Sequence, residues 1–143
     1  MAVLTEDVLN SFKDSKRKEF HTAAVGMSFV EKSHPEHIEA VNNGDWAVLV
    51  PQFDNDSDAT AVGVIHNETG NRVAYIKREL AGEIWNNVVK NGDLYLAKIQ
   101  LTGRTEGREN LGMNLRVIRM YHEQEKAPKK SAPVPDTKSL GDS

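Results

Sequence analysis

The period of the apolar positions changes several times along this chain, and each change marks an element. Ala61, Val62, Val64 and Ile65 form a mostly apolar, β-branched run, Asn67-Glu68-Thr69-Gly70-Asn71 supplies turn chemistry, and Val73, Tyr75 and Ile76 resume a strand. This pattern predicts a hairpin. Directly after it, Leu80, Ile84 and Val88 recur every fourth residue with Ala81 and Trp85 beside them, so the period predicts a helix whose apolar face packs back on the sheet. Asn91-Gly92-Asp93 ends that helix, and strict alternation from Leu94 to Leu101 predicts a long strand. A polar stretch with two glycines, 102–110, leads to a last strand over 111–121, in which Leu115, Val117 and Arg119 share one face.

The first part of the chain is patterned more weakly. Thr5 reads as an N-cap before Glu6 and Asp7, and Val8 with Phe12 gives one apolar i, i+4 contact. Lys13 to Glu19 is almost wholly polar, so residues 1–19 are expected to form a short peripheral helix with a ragged end. The run His21 to Val30 reads as a first strand, with Gly26 marking a bulge or a close backbone approach. Pro35 to Val41 reads as a helix of about two turns. Trp46 to Phe53 reads as a second strand, with Pro51 placing its end at a sheet edge or bulge.

Six short strands with one principal helix inserted before the fifth predict an α+β or mainly β fold, a strongly curved sheet or partly open barrel with the helix across its mouth. The domain is expected over 20–121. From Glu123 on, the chain holds three prolines, many charges and no aromatic ring, a composition that cannot bury enough apolar surface to offset ordering, so residues 122–143 are expected to form a disordered tail.

With 143 residues, the chain fits one domain plus tails. It has no cysteine, which excludes a disulfide framework, a zinc ribbon and a thiol nucleophile. No stretch has the length or apolarity of a membrane span or a secretory signal, so a soluble, cytoplasmic protein without membrane contact is expected. The net charge of −3 hides an asymmetry: residues 1–71 hold 5 Lys and Arg against 12 Asp and Glu, whereas residues 72–121 hold 9 against 5. A partly basic binding face leaves such a mark, as does an ordinary solvated surface, and the overall acidity argues against nonspecific coating of DNA.

Catalytic chemistry finds no support in the residues. Asp54-Asn55-Asp56-Ser57-Asp58 places oxygen ligands as a calcium loop does, but Ala59 stands where the sharp turn needs glycine and Ile65 where a bidentate glutamate belongs. Of the histidines, only His34 and His37 are close, and without a carboxylate or third histidine at metal spacing they read as surface residues. No nucleophile elbow, phosphate loop or dinucleotide fingerprint is present. Among the larger aromatics, most of which belong in a core, Phe29 or Tyr75 beside Lys77 and Arg78 is the one combination suited to stacking an unpaired base near cations.

Val25-Gly26, then Asn55-x-x-Asp58-x-x-Ala61-Val62, then Gly70-Asn71-Arg72-Val73-Ala74-Tyr75-Ile76-Lys77-Arg78-Glu79-Leu80-Ala81 together resemble the HIRAN domain of the small stand-alone bacterial and phage type. The resemblance covers about 20–121. It implies a six-stranded barrel of the oligonucleotide-binding type and capture of the 3′ end of single-stranded DNA. Asn55 and Asp58 match the polar pair that holds the terminal hydroxyl, a donor that suits a carboxylate acceptor. Phe29 matches a stacking aromatic, Tyr75 a position near phosphate, and Lys77 and Arg78 the basic start of the helix. Three departures from the family pattern stand out. Ser28 replaces a basic residue, Val30 a second aromatic, and Asp56-Ser57 a Pro-Tyr pair.

The expected function is a non-enzymatic module, without cofactor or metal, that recognises single-stranded DNA in repair, replication or phage takeover. The binding residues would be Phe29, Asn55, Asp58, Tyr75, Lys77 and Arg78. The alternative, favoured by the acidic first half and the three departures, is a protein-interaction or inhibitor module that keeps the barrel and binds a DNA-processing or host protein instead.

Overall fold

In the computed structural model, residues 3–53, 60–102 and 112–122 are described. Along the chain run α1 (Glu6–Ser11), β1 (Lys16–Val25), α2 (Met27–Ser33), α3 (Pro35–Glu39), β2 (Trp46–Pro51), β3 (Val62–His66), β4 (Arg72–Ile76), α4 (Arg78–Asn91), β5 (Leu94–Thr102) and β6 (Gly112–Tyr121). The strands close into an antiparallel barrel in the order β1-β4-β3-β2-β5-β6. The barrel is therefore shut where a partly open one was expected. Closure rests on a short seam, in which Ala24 pairs with Ile76 and Val25 with Tyr75. Closing the sheet removes the free edges that would otherwise invite pairing with another chain.

The hairpin, the long helix and the last two strands form where the periodicity places them. Gly70 turns the hairpin at φ 77°. In α4, Ala81 and Ile84 are buried, while Leu80, Trp85 and Val88 pack half-buried on the same core. Gly92 then ends the helix in the left-handed region. Inward residues of every strand, among them Leu49, Val62, Val64, Val73, Ile99, Leu115 and Val117, fill the interior. A smaller cluster of Val48, Leu96 and Met120 lies apart from it, covered by Leu4, Phe12 and Ile118. This is how α1 docks: Phe12 packs on that cluster and stacks on His122 at 5.1 Å, whereas Leu9 is exposed.

Two expectations for the first part of the chain are corrected. Residues 16–19, read as the frayed end of a helix, begin β1, where Lys16 pairs with Tyr121 and Glu19 with Ile118. The strand needs few apolar residues because its neighbour supplies polar partners: Arg116 forms a two-pronged ion pair with Glu19, and Lys18 lies over the Tyr121 ring. The second correction concerns His21 to Val30, which is not one strand. Gly26 adopts φ 80°, ends β1 and caps α2, so Phe29 sits on a helix. A β-carbon on Gly26 would stand 3.0 Å from Tyr75 Cδ1, so the glycine marks the close approach and not a bulge. Pro51 costs no ladder bond on its β5 side, because β2 pairs with β5 only from Trp46 to Val48.

A buried polar link fixes the hairpin turn. His66 is fully buried, with Nε2 2.8 Å from Asp45 Oδ2 and Nδ1 2.9 Å from Thr69 Oγ1. Burial pushes the Asp45 carboxyl up, but the Asn42 N–H, at 2.9 Å, and His66 outweigh it and hold the group below the usual carboxylate range. The unfolded chain therefore takes up this proton first as pH falls, and the contribution of Asp45 is complete above its unfolded pKa and lost below it. The stability gap between the native protein and Asp45→Asn is expected to be full at pH 7 and to shrink once pH falls below about 4. Urea unfolding at several pH values measures it.

Candidate nucleic-acid interface

The junction that Gly26 creates builds the site. By ending β1 and turning directly into α2 and α3, the chain lays two short helices beside β4 and leaves a cleft of 450 Å³ between them and the hairpin turn. Phe29, Ser33, His34 and His37 line one wall, and Asn71, Arg72 and Tyr75 the other. Phe29 is 75% exposed. An aromatic ring left that open forgoes apolar burial worth about 1.5–3 kcal/mol at a core position, and its face is accessible to a ligand. The short helix that carries this side chain is the reason it is not buried.

Tyr75 lies half-buried on β4, its ring against the Gly26 backbone and under the Arg72 guanidinium, whose carbon is 4.9 Å from the ring centroid. Arg72 is held there by a hydrogen bond of 2.7 Å to Gln52 Oε1. The pair crosses Gly63, where a β-carbon would meet Gln52 at 3.0 Å and Arg72 at 3.1 Å, so a larger residue there would push both side chains aside. The cleft thus holds two rings and an oriented cation. Cation and ring faces together suit a planar, negatively charged chain.

The remaining expected residues distribute as follows. Lys77 and Arg78 are exposed at the start of α4, just beyond Tyr75, and the Lys77 side chain makes no capping bond to the helix N-terminus it precedes. Neither lines the cleft. Asn55 and Asp58 lie outside the described residues, in a segment that follows Gln52 and Phe53 and returns at Thr60. Sequence reasoning gave no role to Arg72, His34 or His37. The signal for Arg72 was its place beside Tyr75 directly after the turn. His34 and His37 come to the cleft only because α2 and α3 meet at His34.

Other grooves are less suited to a strand of nucleic acid. A cleft of 460 Å³ between β1, β5 and β6 is lined by Lys98, Asn114 and Arg116, but Arg116 is committed to Glu19. Trp46 stands partly exposed with Lys98 over its ring at 5.9 Å, but it does not line that cleft. Among the described residues, no helix is long and apolar enough to cross a membrane.

No family model and no curated protein matches the chain. Two solved structures share its architecture. The crystal structure of a protein from Lactobacillus plantarum superposes with a TM-score of 0.59 at 15% identity, covering 76% of this chain and 99% of that one. The crystal structure of the HIRAN domain of human HLTF superposes with a TM-score of 0.52 at 22% identity, covering 73% of this chain and 77% of that one. With its six-stranded barrel and this likeness, the chain has a HIRAN-like fold.

Proposed function

We propose that the protein is a non-enzymatic binding module that takes single-stranded DNA, and in particular a free 3′ end, into the cleft between α2, α3 and β4. The supporting observation is the exposed Phe29 ring facing the Tyr75–Arg72 wall across that cleft. A base stacks on Phe29, the Arg72 guanidinium meets the phosphate beside it, and Lys77 with Arg78 continues the cationic track toward the N-terminus of α4. Asn55 and Asp58 hold the terminal 3′-hydroxyl, because a carboxylate accepts a hydroxyl proton and repels a phosphate. Such a module serves DNA repair or replication, or the takeover of a host by a phage.

The test is a fluorescence anisotropy titration with two oligonucleotides of one sequence, one with a free 3′ end and one with a 3′-phosphate. The free end is expected to bind at least about tenfold more tightly, since a 1.4 kcal/mol difference suffices for that ratio. Equal binding removes end capture and leaves a general single-strand binder. Absence of binding by both removes the DNA reading in favour of a protein-binding barrel.

A further inference from the structure

The sequence Pro35-Glu36-His37 folds in a way its spacing conceals. His34 ends α2 and precedes α3, Pro35 fixes the first helical turn, and the backbone is held by His34 N–H to Val30 O at 2.7 Å and His37 N–H to His34 O at 2.9 Å. This junction stacks the two imidazoles, with centroids 4.6 Å apart and planes 14° from parallel. Glu36, which the sequence reading did not weigh as a ligand, brings Oε2 to 3.5 Å from His34 Nδ1 and 3.7 Å from His37 Nε2. Contacts of that length are too long for good hydrogen bonds. They match a different requirement: a tetrahedral ion with ligand bonds of about 2.0–2.2 Å sets its ligand atoms roughly 3.3–3.6 Å apart.

We infer that His34, Glu36 and His37 form a site for a borderline divalent cation of the zinc class, with two imidazoles and one carboxylate as ligands and the fourth position open at the rim of the cleft. Imidazole with carboxylate suits zinc and its first-row neighbours and not calcium or magnesium, which take oxygen. A second group of the same residue types, Asp45, His66 and Glu68, is a weaker candidate, because both nitrogens of His66 are already engaged by Asp45 and Thr69. The inference is independent of the DNA reading.

The test uses the full chain stripped of metal with a chelator and then freed of it. Zinc is titrated in competition with a fluorescent zinc indicator, and cobalt(II) is added separately to report coordination through its visible bands. One zinc per chain is expected. His34→Gln/His37→Gln should weaken it by at least about 100-fold, given that even outer-shell partners of a ligand carry 10–100-fold. His21→Gln should change nothing. Native protein with cobalt should show the intense bands of a low-coordinate nitrogen and oxygen site, and the double variant should not. Because His34 is exposed at 59% and His37 is only half-buried at 23%, the variants are expected to keep a near-native Tm without metal, which separates lost ligation from lost fold. Equal zinc binding by native protein and double variant, or no zinc bound by the native protein, overturns the inference.

Discussion

Arg119→Met is expected to lower the unfolding free energy by about 3–5 kcal/mol, the usual cost of stripping one partner from a buried ion pair. Arg119 Nε donates to Asp93 Oδ2 at 2.8 Å, and the two side chains are 21% and 2% exposed. Asp93 is placed by the end of α4: Gly92 reverses the backbone, the Asp93 N–H bonds Asn87 O, and the carboxylate is carried beneath the barrel rim. Without the guanidinium, that carboxylate stays in a site shared with Tyr95, whose own hydroxyl pKa is pushed up by burial although the Asn87 amide opposes this. The pair joins the end of α4, β5 and β6 at one point of the barrel. The measured effect should be a drop in Tm of roughly 10–20 °C for a domain of this size. Asp93→Leu added to Arg119→Met should recover much of it, because an apolar pair leaves no charge unpaired.

Phe29→Ala carries the next largest effect, on binding and not on stability. With the ring 75% exposed, its loss should change unfolding free energy by less than about 0.5 kcal/mol. The same loss should weaken single-stranded DNA binding by about 1–3 kcal/mol, or roughly 5- to 150-fold, the worth of one base stacked on one aromatic. Phe53 is a matched control. It is equally exposed but stacks tilted on Trp85 at 4.7 Å and does not line the cleft, so Phe53→Ala should leave DNA affinity within twofold, about 0.4 kcal/mol. Parallel titrations of both variants check the pair.

The parts of the fold that periodicity makes legible are those whose two faces differ. Leu80, Ile84 and Val88 mark α4, and the alternation in 94–101 marks β5, because each buries one side only. The run from His21 to Val30 offers no such contrast. Its apolar residues, Ala23 to Val25, Met27, Phe29 and Val30, keep no single period, and a short apolar run fits strand and helix equally. The deciding fact is the left-handed backbone of Gly26, which a sequence does not display. Residues 16–19 misled for the opposite reason, since a strand that pairs through charge with β6 has no apolar period to detect.

The candidate site was legible in its aromatic members and less so in its polar ones. Phe29 and Tyr75 were marked by the HIRAN resemblance and share one cleft. Arg72 depends on a bridge to Gln52 across Gly63, a contact twenty residues long in sequence that pattern alone does not join. His34 and His37 depend on the meeting of two helices, one of which was read as a strand.

Amide chemical-shift mapping of the labelled protein during titration with a short single-stranded oligonucleotide ending in a free 3′-hydroxyl tests the location of binding directly. Shifts concentrated at Phe29, Arg72, Tyr75 and Lys77, with little change at the Lys98–Arg116 groove, are the predicted result. Shifts centred on that opposite groove, with Phe29 and Tyr75 unmoved, would contradict the assignment of the cleft as the DNA surface.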